Sequence, residues 1–447
     1  MEMDRLLDGL DRVVKPAQVG DWLKTPNPAF DGSTPLQLVQ RGDLPHGRPG
    51  NVWQRKERNP RYALRHAPGQ LLPLQNSGPM KTTNIADYIK PAEFLAQATQ
   101  ATTVKAITSL LNQLPIVSEY DHGLDLSNPT NGWTEGKLHW YPLGRDRGNA
   151  GRIKLATRPE GPIAERGINA MESLIELARR RELLTNPTSP VPQSPREAVM
   201  RYFSLPPLDQ LPKLTGRVKG QKPRAYAREL AKLIRVRVAF DKAQKEFSVC
   251  IEDEGIGQAP ERMHETLLSL GSSDKGDKPY LIGLFGQGGS STYAASGYSW
   301  CVSRRAPELL DGRPDGVGWT VVKQVFPKGR RDPYYAYLAA NPQGQVPALP
   351  VVAAEAIRLK HGSRFAHLKY NFAGGGSAVM RSLFYMLNHI LYNPVLPFDL
   401  YAGRDAADTI YGNGYRLSNA SEDQKTVLDK TFSPQPIVEI AQPTPIV

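Results

Sequence analysis

Apolar residues recur along this chain with two different periods, and the change of period divides it. Between Asn84 and Leu114, Ile89, Phe94, Leu95, Ala98, Val104, Ile107, Leu110 and Leu111 stand at helical spacing. A second helix is predicted from Pro162 to about Leu184, with Ala164, Ile168, Met171, Ile175 and Ala178 as its buried stripe. Pro162 sits in the first turn, where its missing N–H costs nothing. Ile234–Phe240 and Phe247–Ile251 alternate strictly, and the polar stretch Asp241–Glu246 between them predicts a β-hairpin. Further strands are predicted at Leu138–Tyr141, Ile153–Leu155, Tyr298–Ser303, Gly318–Val325 and Arg364–Tyr370, and a helix at Val379–Leu391. Less regular pieces separate these: a short acidic helix at Asp4–Val14, an Arg-, Pro- and Gly-rich linker at 51–80, and a Pro-punctuated stretch, Thr185–Pro223. The tail Ser433–Val447 is Pro-rich and apolar, and reads either as disordered or as the opening of a longer parent chain.

Composition narrows the class. Of 447 residues, 40% are hydrophobic, enough for a sizeable core and for two or three domains at roughly 150 residues each. Gly and Pro, 39 of each, are not periodic, which excludes a collagen-like chain. No apolar run reaches the ~18 residues of a membrane helix, and Met1-Glu2-Met3-Asp4 lacks the basic and apolar regions of a signal peptide. Two cysteines, Cys250 and Cys301, cannot build a disulfide framework or a four-ligand zinc site. A soluble, cytoplasmic protein is the expectation. The net charge of +12, from 56 Lys+Arg and 44 Asp+Glu, hints at a polyanionic partner.

Four sites carry candidate chemistry. Glu165, Asn169 and Glu172 stand at i, i+4 and i+7 on one edge of the second helix. A carboxylate one turn from an amide suits a hydrated magnesium ion, although Glu and Asn on a solvated helix face are also commonplace. Asp253-Glu254-Gly255-Ile256-Gly257 follows an apolar strand. It reads either as a turn or as a site where a buried Asp accepts a hydrogen bond from an exocyclic amine. Gly283-Leu284-Phe285-Gly286-Gln287-Gly288-Gly289-Ser290 leads into a predicted helix and offers backbone N–H groups to phosphate oxygens. It lacks the Lys-Ser/Thr pair of a Walker A loop, and no strand of a βαβ unit precedes it. Gly362-Ser363 feeds a strand, where the hydroxyl serves a base edge or simply a turn.

In this order the four motifs, E-x-x-x-N-A-x-E, D-x-G-x-G, G-x-F-G-x-G-G and G-S before a strand, resemble those of the GHKL ATPases. That superfamily includes gyrase-type topoisomerases, heat-shock chaperones, sensor histidine kinases, MutL and MORC proteins. The resemblance covers residues 150–372 and implies an α+β fold, a two-layer α/β sandwich of the Bergerat type, with the Glu165 helix and its neighbours on one face. It implies ATP and Mg2+ as ligands. Glu165 would be the general base, Asn169 would coordinate magnesium, and Glu172 and Ser173 stand where the family commonly has Asp and Ala. Asp253 would receive the adenine amino group, with Gly255 and Gly257 wrapping the base and Ser363 replacing the usual Thr. Gly283, Phe285, Gly286, Gln287, Gly288 and Gly289 would frame the phosphates. Gln258–Ile282, including Ser272 and Lys275, would be the ATP lid, with Lys275 or Lys278 reaching the γ-phosphate.

The domains expected are then an N-terminal segment at 1–50, a linker and helical region at 51–136, the ATP-binding domain at 137–372, and the start of a further domain at 373–447. Residues 21–39 resemble the toxin-binding segment of Xre/MbcA/ParS-type antitoxins, which implies a protein partner; a plain helical cap is the other reading. Between Asn169 and Asp253 the chain is longer than the family usually shows. Residues 179–237 of that stretch hold 14 Lys/Arg and 4 Asp/Glu, a net 14 − 4 = +10. This insertion is either a solvated face or a contact for DNA or RNA. The functional expectation is magnesium-dependent ATP hydrolysis whose lid closure drives a change in assembly, with a nucleotide-dependent homodimer as one form of it and a DNA-associated or phage-defence role as an extrapolation. An ATP-gated scaffold with negligible hydrolysis is the alternative. A histidine kinase fits less well, because His46, His66, His122 and His139 lie in loop-like or strand-like settings.

Overall fold

A computed structural model describes residues 88–116, 138–153, 156, 158–270, 278–282, 288–327, 332–372 and 375–421. The N-terminal segment, the linker at 51–80, the tail Ser433–Val447 and Lys154–Leu155 of one predicted strand lie outside the described residues. All described residues belong to a single unit, Asn84–Val447.

Two short helices open it, α1 (Pro91–Gln100) and α2 (Val104–Leu111). Strand β1 (His139–Pro142), the long helix α3 (Glu160–Thr185), α4 (Pro195–Phe203) and α5 (Pro223–Ala231) follow. The hairpin β2 (Ile234–Asp241) and β3 (Glu246–Asp253) comes next, then the one-turn helices α6 (Met263–Thr266) and α7 (Ser291–Ala294). Strands β4 (Tyr298–Arg304), β5 (Gly316–Val325), β6 (Tyr334–Ala339) and β7 (Ala348–Pro350) lead to α8 (Val351–Ala356) and β8 (Gly362–Leu368). Helix α9 (Gly376–Ile390), β9 (Phe398–Ala402), β10 (Asp408–Ile410) and α10 (Asn413–Asn419) complete the unit.

The strands form one mixed sheet in the order β1-β6-β5-β4-β8-β3-β2-β9-β10, with β7 paired to β5. β2 and β9 run parallel, and the hairpin register sets Val236 opposite Ile251 and Val238 opposite Val249. Those four side chains share a face and bury against Ile163, Ala164, Met171 and Ile175 of α3 and Leu383 and Leu387 of α9. The architecture is therefore α+β, with α3 on the face that the helical stripe predicts.

The opposite face is also covered. Trp300, Val302, Val317, Trp319 and Val321 project there because side chains alternate across β4 and β5, and α1 and α2 close over them. The Phe94 ring lies 5.8 Å from Trp300 and 4.8 Å from Trp319. To the Glu165 helix and its neighbours on one face the structure adds helices on the other: two tryptophans on a sheet face need an apolar cover, and the Asn84–Leu114 periodicity supplies it.

Three other expectations change. Ile153 lies buried in a bend after the turn Asn149–Gly151, not in a strand. The stretch Thr185–Pro223 holds α4, whose N-cap Ser194 accepts the Glu197 N–H at 3.1 Å and is followed by Pro195. Residues 376–419, read as the start of a further domain, contribute α9, β9 and β10 to the same sheet and core. Among the described residues no helix is long and apolar enough to cross a membrane.

Candidate functional site

β3 ends at Asp253, and alternation sends Glu252 and Asp253 to opposite faces of the sheet. Glu252 is gripped by Arg235 at 2.6 Å and Arg364 at 2.8 Å. Asp253 instead turns toward α3 and is 5% exposed. Its Oδ1 accepts the Gly255 N–H at 2.9 Å and the Ser173 hydroxyl at 3.0 Å. Burial pushes the carboxyl up to about 7, against the pull of those two donors.

Asp253 pairs in register with Ser363 of β8, which pairs with Ser303 of β4, so three polar side chains line up across adjacent strands. The Ser303 and Ser363 hydroxyls lie 2.9 Å apart, and Ser303 accepts the Gln258 N–H at 2.8 Å. The turn between needs glycine. Gly257 has φ +62°, and a Cβ there would fall 1.8 Å from the Arg304 carbonyl oxygen. His361 Nδ1 lies 2.8 Å from the Gly255 carbonyl; a carbonyl only accepts, so Nδ1 carries the proton.

Helix α3 forms the facing wall. Glu165 is exposed and accepts the Ser291 hydroxyl at 2.8 Å. Asn169, one turn on, is half-buried, and a Cβ on Gly289 would lie 3.6 Å from its Nδ2. Glu172 is buried, with its Oε1 taking the Ile282 N–H at 2.7 Å. The expected single edge therefore grades from open at Glu165 to closed at Glu172. Gly288–Ser290 forms a tight turn into α7, held by Arg166. The Arg166 guanidinium donates to the Gly289 carbonyl at 2.6 Å and the Thr292 hydroxyl at 3.2 Å, and lies 4.1 Å over the Phe365 ring.

A second carboxylate on α3 anchors the end of the expected lid. Glu176 accepts from the Tyr280 hydroxyl at 2.8 Å, Arg180 at 2.9 Å and Lys278 at 3.3 Å. Burial alone would raise its carboxyl, but Lys278, Tyr280 and Arg180 together hold it below the usual value. Lys278, expected to reach a phosphate, is thus engaged with Glu176. Ser272, Lys275, Gly283, Phe285, Gly286 and Gln287 lie outside the described residues.

The fold brings Asp253, Gly255, Gly257 and Ser363 together opposite Glu165, Asn169 and Glu172, with Gly288 and Gly289 against Arg166. Sequence reasoning missed Arg166, Ser303 and Glu176, and noted Ser173 only as a departure from the family pattern. One signal was available: Glu176 and Arg179 continue, at i+4 and i+7 from Glu172, the edge beside the apolar stripe of α3, and a charge at a buried position requires a partner.

At least half of the insertion's fourteen cations are engaged within the molecule. Arg179, Arg180, Arg181, Arg201, Lys232 and Arg235 each pair with a carboxylate, and Arg196 donates to the Asn393 carbonyl. The polyanion expectation therefore narrows from 179–237 to the rest of it, of which Lys213, Arg217, Lys219, Lys222, Arg224 and Arg228 form one run.

Comparison with known proteins bears on the N-terminus. Residues 8–44 match the family described as the antitoxin Xre/MbcA/ParS C-terminal toxin-binding domain, and the segment 21–39 noted above falls inside that match. No curated protein matches the chain.

Proposed function

We propose that the chain is a magnesium-dependent ATPase of the GHKL kind, with a Bergerat-type site between α3 and the β3–β8–β4 part of the sheet. The observation that carries the reading is the alignment of Asp253, Ser363 and Ser303 on three neighbouring strands, opposite the helix bearing Glu165 and Asn169. A buried carboxylate that turns toward α3 suits the amino edge of adenine, which donates to it. The glycines at 255 and 257 admit a flat base close to the backbone.

Among the described residues no three His, Cys, Asp or Glu side chains gather as a metal cage. The Asn169 amide oxygen is a hard donor beside the open end of that edge, which suits a magnesium ion that keeps water and phosphate oxygens as its other ligands and leaves the Glu165 carboxylate for water. When bound, that ion would neutralise phosphate charge. Glu165 would accept the proton of the water that attacks the γ-phosphorus as the bond to the β–γ bridging oxygen breaks. Positioning and charge neutralisation suffice for a loose phosphoryl transition state. The N-terminal segment, similar to an antitoxin toxin-binding domain, would recruit a protein partner whose assembly the nucleotide state controls.

A second reading, an ATP-gated scaffold with negligible turnover, draws on the Glu165–Ser291 hydrogen bond, which occupies the would-be base. Titration calorimetry with ATP and magnesium, followed by phosphate release, separates the two. Binding with turnover supports the ATPase, binding alone supports the scaffold, and no binding removes both.

A further inference from the structure

Residues 210–228 carry six Lys/Arg and no Asp/Glu. None of the six pairs with a carboxylate among the described residues, although the arginines around them are consumed by internal ion pairs. Of the nearby carboxylates, Glu229 holds Lys232 at 2.8 Å, Asp399 is buried and accepts the Thr409 hydroxyl at 3.0 Å, and Asp209 lies against Gly414 of α10 with a buried Oδ1.

The fold sets this run beside aromatic side chains at the β9–β10 end of the sheet. Arg224 of α5 hydrogen-bonds Asn419 and lies 5.7 Å from the Tyr415 ring, both on α10. Arg416, adjacent on α10, stacks 5.0 Å over Tyr385 of α9, and the Gly414 N–H donates to the Tyr392 carbonyl at 2.8 Å. Helix α10 thus joins the basic run to Tyr385 and Tyr392, whose side chains are 57% and 56% exposed.

We infer that this end of the molecule binds single-stranded nucleic acid, with the cations of residues 213–228 tracking phosphates and Tyr385 and Tyr392 stacking on bases. Clustered cations without acids recognise a phosphate backbone whatever its sequence. Exposed tyrosines beside them add what a duplex cannot use, because paired bases hide their faces within the stack. The inference uses no residue of the Asp253 site and does not depend on the nucleotide reading.

Fluorescence anisotropy of the full chain with a labelled oligothymidylate of about twenty nucleotides, between about 50 and 200 mM salt, tests it. Neutralising Lys219→Gln, Arg224→Gln and Arg228→Gln together is expected to weaken binding at least about tenfold and to reduce the salt slope by about two. Tyr385→Ala with Tyr392→Ala should weaken binding about tenfold or more at an unchanged slope. Lys213→Glu with Lys222→Glu leaves the Arg224 hydrogen bond intact, so loss of affinity there separates charge from folding. A slope and affinity unchanged in all three variants overturn the inference. So does equal binding of a duplex of the same length, or equal binding of polyglutamate, which would mark an acidic-protein surface instead.

Discussion

Asp253 and Ser363 face one another across β3 and β8, side by side on the face of the sheet that α3 covers. The pairing places a buried carboxylate and a buried hydroxyl where the backbone turns away at Gly255, and Ser303 of β4 extends the row. Ser173 ties the row to α3 by donating to Asp253 and accepting the Ile256 N–H at 3.1 Å. The site's geometry is therefore shared between a helix and three strands.

Asp253 gives a pH signature. An unfolded Asp titrates near 3.8, whereas here burial pushes it up to about 7. Between those values the folded state keeps a proton that the unfolded chain has lost, so stability falls as pH rises through this window and levels off above it. Asp253→Asn, neutral throughout, is expected to be more stable than the parent by about 3 kcal/mol at pH 8, converging toward it near pH 4. The same variant should lose ATP, because its oxygen answers the Gly255 and Ser173 donors and its NH2 replaces an acceptor. Urea denaturation across pH, with calorimetry, checks both.

Glu165→Ala should bind ATP about as tightly as the parent while phosphate release drops by at least about 100-fold. Single-turnover release is the measurement. Parent-like hydrolysis in the variant would take the general base away from Glu165.

Glu176→Gln should destabilise the chain by about 3 kcal/mol at neutral pH, because Lys278 and Arg180 lose their carboxylate. Its folded pKa is depressed, so its contribution is present above about 4.5 and is lost as pH falls through the folded value. The gap between variant and parent should therefore close in acid. Faster amide exchange at Ile282 in the variant would place the effect on the segment 278–282 that Glu176 holds through Lys278 and Tyr280.

Two glycines with similar backbone angles should behave differently. Gly257, at φ +62°, has the Arg304 carbonyl oxygen where a Cβ would go, whereas Gly220, at φ +78°, has open space. Gly257→Ala is expected to cost more than about 3 kcal/mol or to prevent folding, and Gly220→Ala about 1 kcal/mol. Matched denaturation midpoints would show that the Gly257 turn yields.

Much of the α3 wall could be read in advance. The 3.6-residue stripe marks the helix, and strict alternation marks the β2–β3 hairpin, because both patterns are local consequences of which side chains face the core. Gly255 and Gly257 were legible as a turn. β6, β9 and β10 were not, because their own patterns are short and because β6 and β9 also pair with distant strands, β1 and β2. The Glu176 cluster was hidden for the same reason: Tyr280 lies far along the chain.

The sequence by itself determined the periodic elements, the order of the four motifs and the location of the excess charge, since each is a property of neighbouring residues. Only the tertiary structure decided that Asp253, Ser363 and Ser303 share one row, that α1 and α2 cover the second face, and which arginines of the insertion are already paired. Those are properties of strand register and side-chain burial, which arise when distant segments compete for the same partners in space.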